Sequence, residues 1–188
     1  MSPSPPDPAQ PSEQIAGVYV VPFRSFADPR GYFFESFRRS WIPGGREMIQ
    51  GNCSFSRAGV LRGLHYHLKQ ADFWGVPSGR VRAALYDLRV SSPTRGAAQV
   101  LDLGAGEGNA LGLYIPKGVA HGFYALVDSF MTYLVDEYYD NTDELGVRFD
   151  DPALGIDWGM GAGPTPIVSE RDQKNLTLAA IPAAQLPR

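Results

Sequence analysis

Three histidines, at positions 65, 67 and 121, are the whole imidazole supply of this chain. Imidazole titrates nearest neutrality, so each ring can take a proton, give one, or offer a nitrogen to a metal. The run Gly63-Leu64-His65-Tyr66-His67-Leu68 reads as a strand, and strand alternation sets His65 and His67 on one face. The competing reading makes each a core or half-exposed strand residue whose ring nitrogens bond backbone groups. All three fall in strand-like text, and this clustering argues for a site. Arg62 has the opposite strand parity to His65, so both reach one site only if Gly63 introduces a bulge or the strand begins after Arg62.

The elements that must position these rings are short. The chain carries 21 Gly and 16 Pro, a load that breaks long helices but suits many strands joined by turns. Apolar runs closed by Gly, Pro, Asp or Asn predict strands at 15–23, 31–38, 48–56, 60–67, 80–89, 97–103, 111–116, 121–127 and 130–138. Their spacing suits a sandwich or barrel, because a βαβ protein needs periodic helical stretches between strands. Only 40–49 and 142–147 look able to form a helical turn. Residues 1–14 hold five prolines and no aromatic residue and read as a flexible arm. One domain over 15–175 and a tail over 176–188 complete the expected organisation.

Composition excludes several classes. With 188 residues, 44% apolar and 20% charged, the chain can bury a core. Its 17 Lys+Arg against 20 Asp+Glu give a net charge of −3, and no dense basic run follows a phosphate backbone, so nucleic acid is a poor partner. A small phosphorylated ligand gripped by a few arginines fits better. The single cysteine, Cys53, cannot form an internal disulfide, which favours a reducing cytoplasm. No apolar run approaches the ~18 residues that span a bilayer, so neither membrane nor export signal is expected.

Gly59, His65, His67, Asp72 and Gly79 follow the spacing of the first cupin motif, with Asp72 where Glu is usual. Pro116-Lys117-Gly118-Val119-Ala120-His121 matches the core of the second. The chain thus resembles the cupins, which implies a mostly β, double-stranded β-helix (jelly-roll) barrel. A closer resemblance runs through Asp28 to Glu35, Gln50 to Ser54, Gly59 to Tyr66, Asp87-Leu88-Arg89, Ser92-Pro93-Thr94, Ile115 to Phe123, Tyr138-Tyr139, Asp151-Pro152 and Ser169 to Asp172. In that order they are similar to the dTDP-4-dehydrorhamnose 3,5-epimerase family of nucleotide-sugar enzymes.

That resemblance implies a reaction and a cast of residues. The hydrogen beside a C4 ketone is acidic enough for a positioned imidazole to remove, because the charge delocalises onto the ketone oxygen. His65 corresponds to the base, Asp172 to the carboxylate that fixes its tautomer, and Tyr133 to the acid on the other face of the sugar. Arg30, Phe33, Glu35, Gln50, Asn52, Arg62, His121, Tyr138 and Arg171 correspond to positions around a nucleotide-diphosphate sugar. No cofactor is implied, and a homodimer is, through an N-terminal strand that pairs with a neighbour's sheet edge. Two departures stand out. Asp72 replaces the lysine the family uses on the enolate oxygen, with Lys69 as a candidate displaced equivalent, and His67 stands where the family often has Gln. Together they open a rival reading, a metal-dependent cupin (oxygenase or isomerase) with His65, His67, Asp72 and His121 as ligands. A third reading is a sugar-nucleotide-binding cupin without turnover.

Overall fold

The computed structural model describes residues 9–42, 44, 46–105, 110–161, 163 and 165–188. In chain order its strands are β1 (Gln10–Pro11), β2 (Tyr19–Pro22), β3 (Ser25–Asp28), β4 (Gly31–Phe34), β5 (Gln50–Ser56), β6 (Leu61–Tyr66) and β7 (Asp72–Ser78). They continue with β8 (Arg80–Asp87), β9 (Ala98–Gly104), β10 (Leu111–Ile115), β11 (Val119–Ala125), β12 (Ser129–Val135) and β13 (Leu145–Gly146). A single-turn helix, α1 (Glu170–Gln173), follows. Six strands form one sheet in the order β1-β2-β10-β7-β12-β5, and five form the other in the order β13-β6-β11-β8-β9. The crossovers between sheets make this the cupin-like barrel that the sequence predicts.

Alternation explains the layers. On β8, Val81, Ala83 and Leu85 point between the sheets, where they meet Trp74 and Val76 of β7, Leu113 and Ile115 of β10, and Met131 of β12. Their neighbours Ala84 and Tyr86 point outward, under Val147, Leu154, Trp158 and Ile181 of the C-terminal segment. The outer face of the six-stranded sheet buries Val21, Phe23 and Phe73 under Trp41 and Ile42. Each buried side chain of this size contributes about 1.5–3 kcal/mol, so all three layers matter to the barrel.

Several expectations shift. β7 was not expected, since its text holds Gly75 and Pro77, yet it lies between β10 and β12. Both residues are accommodated locally. A Cβ on Gly75 would stand 3.4 Å from the Thr132 hydroxyl and 3.6 Å from the Phe23 ring. Pro77 falls where the β12 register slips between Thr132 and Phe130 and beyond the end of the β10 ladder, so no paired N–H is lost. The strand expected over 31–38 is instead half of the β3–β4 hairpin, turned at residues 28–31 by an Asp28 carboxylate that accepts the Arg30 N–H at 2.8 Å. Residues 142–147 end in strand β13 rather than a helical turn, and the polar run after Val168 supplies α1.

The termini differ too. Residues 1–8 of the expected arm lie outside the described residues, while Gln10–Pro11 pair with β2 and the Ser12 hydroxyl donates to Gln99 at 2.7 Å. An edge position tolerates the proline. In the tail, Leu178, Ile181 and Leu186 pack on the outer layer, and the Pro187 carbonyl accepts the Val90 N–H. Among the described residues no helix is long and apolar enough to cross a membrane.

Candidate active site

A solvent-open cavity lies between the two sheets, lined by His65, His67, Asp72, His121 and Tyr133 together with Arg62, Glu144 and Trp74. The parity conflict between Arg62 and His65 is resolved by a bulge. His65 pairs with His121 but Arg62 pairs with Phe123, so β6 carries one extra residue against β11. Leu61, Leu64 and Tyr66 turn to the outer apolar layer, and Arg62 and His65 both turn to the cavity. Gly63 makes this possible at φ 120°, with a Cβ there falling 2.6 Å from the Gly122 Cα and 2.8 Å from the His121 carbonyl oxygen. The two strands approach this closely because both positions are glycine.

Asp172 comes from far along the chain. The segment before it is stitched to β6 by the Leu61 N–H on the Ile167 carbonyl and the Ile167 N–H on the Gly59 carbonyl, both 2.9 Å. Ser169 then caps α1, its hydroxyl accepting the Asp172 N–H at 3.1 Å. The Asp172 carboxylate accepts the His65 Nε2–H at 2.7 Å and the Gly63 N–H at 3.1 Å. Burial opposes its charge, but the His65 and Gly63 hydrogen bonds and Arg171 outweigh burial and hold its carboxyl below the usual range. An ionised Asp172 keeps the proton on Nε2, which leaves Nδ1 as the nitrogen free to take another.

Tyr133 is on β12, in the other sheet. Burial, reinforced by the Asp72 and Glu144 charges, raises its hydroxyl above the ordinary tyrosine range, so it keeps its proton near neutrality. Asn52 stands opposite Tyr133 in the β5–β12 ladder and accepts from the Gln50 amide at 3.0 Å. Arg62 donates to the Ser56 hydroxyl at 3.0 Å and to the Phe55 carbonyl at 3.1 Å. Arg171 bonds Glu144 at the cavity wall. His121 is buried and edge-on to Trp74, with burial pushing its ring down to about 4, and is therefore neutral.

Other expected residues stand apart. Arg30 pairs with Asp28, Glu35 with Arg38, and Phe33 is 67% exposed on the hairpin; none of the three lines the cavity of its own chain. Tyr138 is exposed in the segment after β12. Lys69 does not take the place of the family lysine, since its amine pairs with Asp140 at 2.9 Å and is not a cavity residue. Of the four candidate metal ligands, His67, Asp72 and His121 converge, and His65 gives its Nε2 to Asp172 instead. Glu144 and Trp74, cavity residues absent from the expected set, carry no sequence motif that marks them.

An imidazole–carboxylate pair on one wall of a cupin-like barrel faces a protonated tyrosine on the other, the groups that an enzyme moving protons on a bound ligand would use. Residues 12–180 match the family model described as dTDP-4-dehydrorhamnose 3,5-epimerase. The chain belongs to that family, and hence to the isomerases. It is similar to a dTDP-4-dehydrorhamnose 3,5-epimerase of Sinorhizobium fredii, 34% identical with 92% of this chain and 91% of the relative covered. It is also similar to a dTDP-4-dehydrorhamnose 3-epimerase of Streptomyces niveus, 38% identical over 88% of this chain and 81% of the relative. A dTDP-6-deoxy-D-glucose-3,5-epimerase of Legionella pneumophila, solved in complex with dTDP-4-keto-L-rhamnose, superposes with a TM-score of 0.87 at 33% identity, covering 96% of this chain and 97% of that one.

Proposed function

We propose that the protein inverts C3, or C3 and C5, of a dTDP-4-keto-6-deoxyhexose through an enolate. The observation that carries this reading is the placement of His65 and Tyr133 on opposite sheets facing one cavity, so that a sugar ring between them meets a base on one face and an acid on the other. His65 Nδ1 takes the proton from the carbon beside the ketone; the C–H pair forms a C=C bond and the carbonyl π pair moves to oxygen. Tyr133 then donates its proton to the opposite face of that carbon, and the enolate pair returns as the ketone. Asp172 orients His65 and stabilises the imidazolium.

Arg62, Gln50, Asn52, Tyr138 and Arg171 suit the nucleotide diphosphate, with guanidinium forks matched to phosphate oxygens. Arg30, Phe33 and Glu35 reach a substrate only if the hairpin docks on a second copy, which supports a homodimer with shared sites. The exposure of Phe26, Tyr32 and Phe33 supports the same arrangement. The test is incubation with dTDP-4-keto-6-deoxyglucose in heavy water, read by proton NMR. Deuterium at C3 with an inverted product is expected; no exchange at C3 or C5 would overturn the reading.

A further inference from the structure

His67, Asp72 and His121 are 4%, 3% and 5% exposed, and their ligating atoms lie within 4.8 Å of one another. Both rings are fixed from behind. His67 Nδ1–H donates to the Asp143 carbonyl at 2.8 Å, and His121 Nδ1–H donates to the Val119 carbonyl at 3.0 Å. Each Nε2 is thus the ring nitrogen left to face the cavity. The nearest carboxylates are 3.7 Å away, Asp72 from His121, and 3.9 Å away, Glu144 from His67, too far for hydrogen bonds. Asp72 is meanwhile held by the Gln70 amide at 2.9 Å and the Trp74 indole N–H at 3.2 Å. Two imidazoles and a carboxylate grouped at one point, each oriented by a hydrogen bond on its far side, form the arrangement that a metal ion uses.

We infer that these three residues bind one divalent first-row transition-metal ion. Ligand atoms about 2.1 Å from a metal lie roughly 3–4 Å apart, so modest ring rotations close the set. Imidazole and carboxylate donors suit Fe²⁺, Mn²⁺, Co²⁺, Ni²⁺ or Zn²⁺, with coordination positions left open toward the cavity. The ion also answers an electrostatic problem. The wall carries the Asp72 carboxylate and a Glu144 carboxylate paired with Arg171, while Arg62 is engaged with Ser56 and Phe55. Negative charge developing on a ketone oxygen there needs a cation, and the ion supplies it as a Lewis acid without changing oxidation state. This last role rests on the epimerase reading; the binding site does not.

The full chain, freed of metal by chelator and desalted, is titrated with Co²⁺ and followed by visible d–d absorption and calorimetry. One ion per chain is expected, with affinity reduced at least about 100-fold in His67→Gln, Asp72→Asn and His121→Gln variants of wild-type circular dichroism. His65→Gln should bind as wild type. No saturable binding below about 100 µM, or equal binding in all three variants, would overturn the site. Deuterium exchange into the 4-ketosugar, measured before and after loading, tests the role. Restoration by Co²⁺ supports it, equal exchange in both states overturns the Lewis-acid role alone, and no exchange in either state with cobalt bound overturns the epimerase reading while the site stands.

Discussion

Under the proposed reaction His65, Tyr133 and Asp172 divide the work between them, so their variants should differ in kind. Removing the base stops solvent exchange and inversion together, and His65→Ala should lose about 10²–10⁴-fold in deuterium uptake at C3. Tyr133→Phe keeps the ring between the sheets and deletes only the donor, so exchange should persist while inverted product falls much further. Equal loss of both signals in the two variants, with substrate binding confirmed by calorimetry, would refute this division of labour. Asp172→Asn removes the charge but keeps the shape, and its exchange rate should lie between wild type and His65→Ala. The histidines were legible in the sequence because they are few and spaced for a strand. Tyr133 and Asp172 were legible only through family resemblance, since one tyrosine among nine and one aspartate in a polar run announce nothing by themselves.

The bulge in β6 shows how an element decides what its residues can do. Gly63→Ala places a methyl at φ 120° against Gly122 and the His121 carbonyl, and no flexible side chain is there to yield. A loss of roughly 2–4 kcal/mol is expected in urea unfolding, and the surviving fold should lose at least about 10²-fold in exchange as His65 moves off its carbonyl-flanking position. The conflict of parity between Arg62 and His65 left two ways out, a bulge at Gly63 or a strand beginning after Arg62, and the structure takes the bulge; the strand β7 was not legible, because Gly75 and Pro77 read as a loop until Phe23 and the slipped ladder supply their reasons. The turn after β8 offers a second test. Asp87 is fully buried and its carboxyl is held down to about 2: burial pushes it up, but bonds from Arg89, Ser92 and Thr94 outweigh burial. A folded value depressed below the ordinary 3.8 adds stability that is present above pH 3.8 and fades as pH falls through about 2. The stability gap between wild type and Asp87→Asn should therefore shrink by about 2 kcal/mol between pH 5 and pH 2.

For the whole molecule, the barrel was legible because strand text and turn residues alternate throughout, whereas the packing of the termini was not, since their contacts are distant in sequence. The exposed hairpin leads to an oligomeric expectation: light scattering after size exclusion at micromolar concentration should give twice the mass of one chain, and Phe33→Glu should shift it toward one. A monomeric wild type would refute the shared site. Asp172 and His65 are 107 residues apart in the chain, and the sheets take their last strand at Leu145–Gly146. A ribosome adding roughly 5–20 residues per second therefore delivers every strand seconds before it delivers the carboxylate. Throughout its own synthesis the polypeptide carries a histidine with nothing to hold its proton in place. Under the proposed reaction, a chain stalled or clipped before Asp172 has its base but not the carboxylate that orients it, so full activity waits for that late segment.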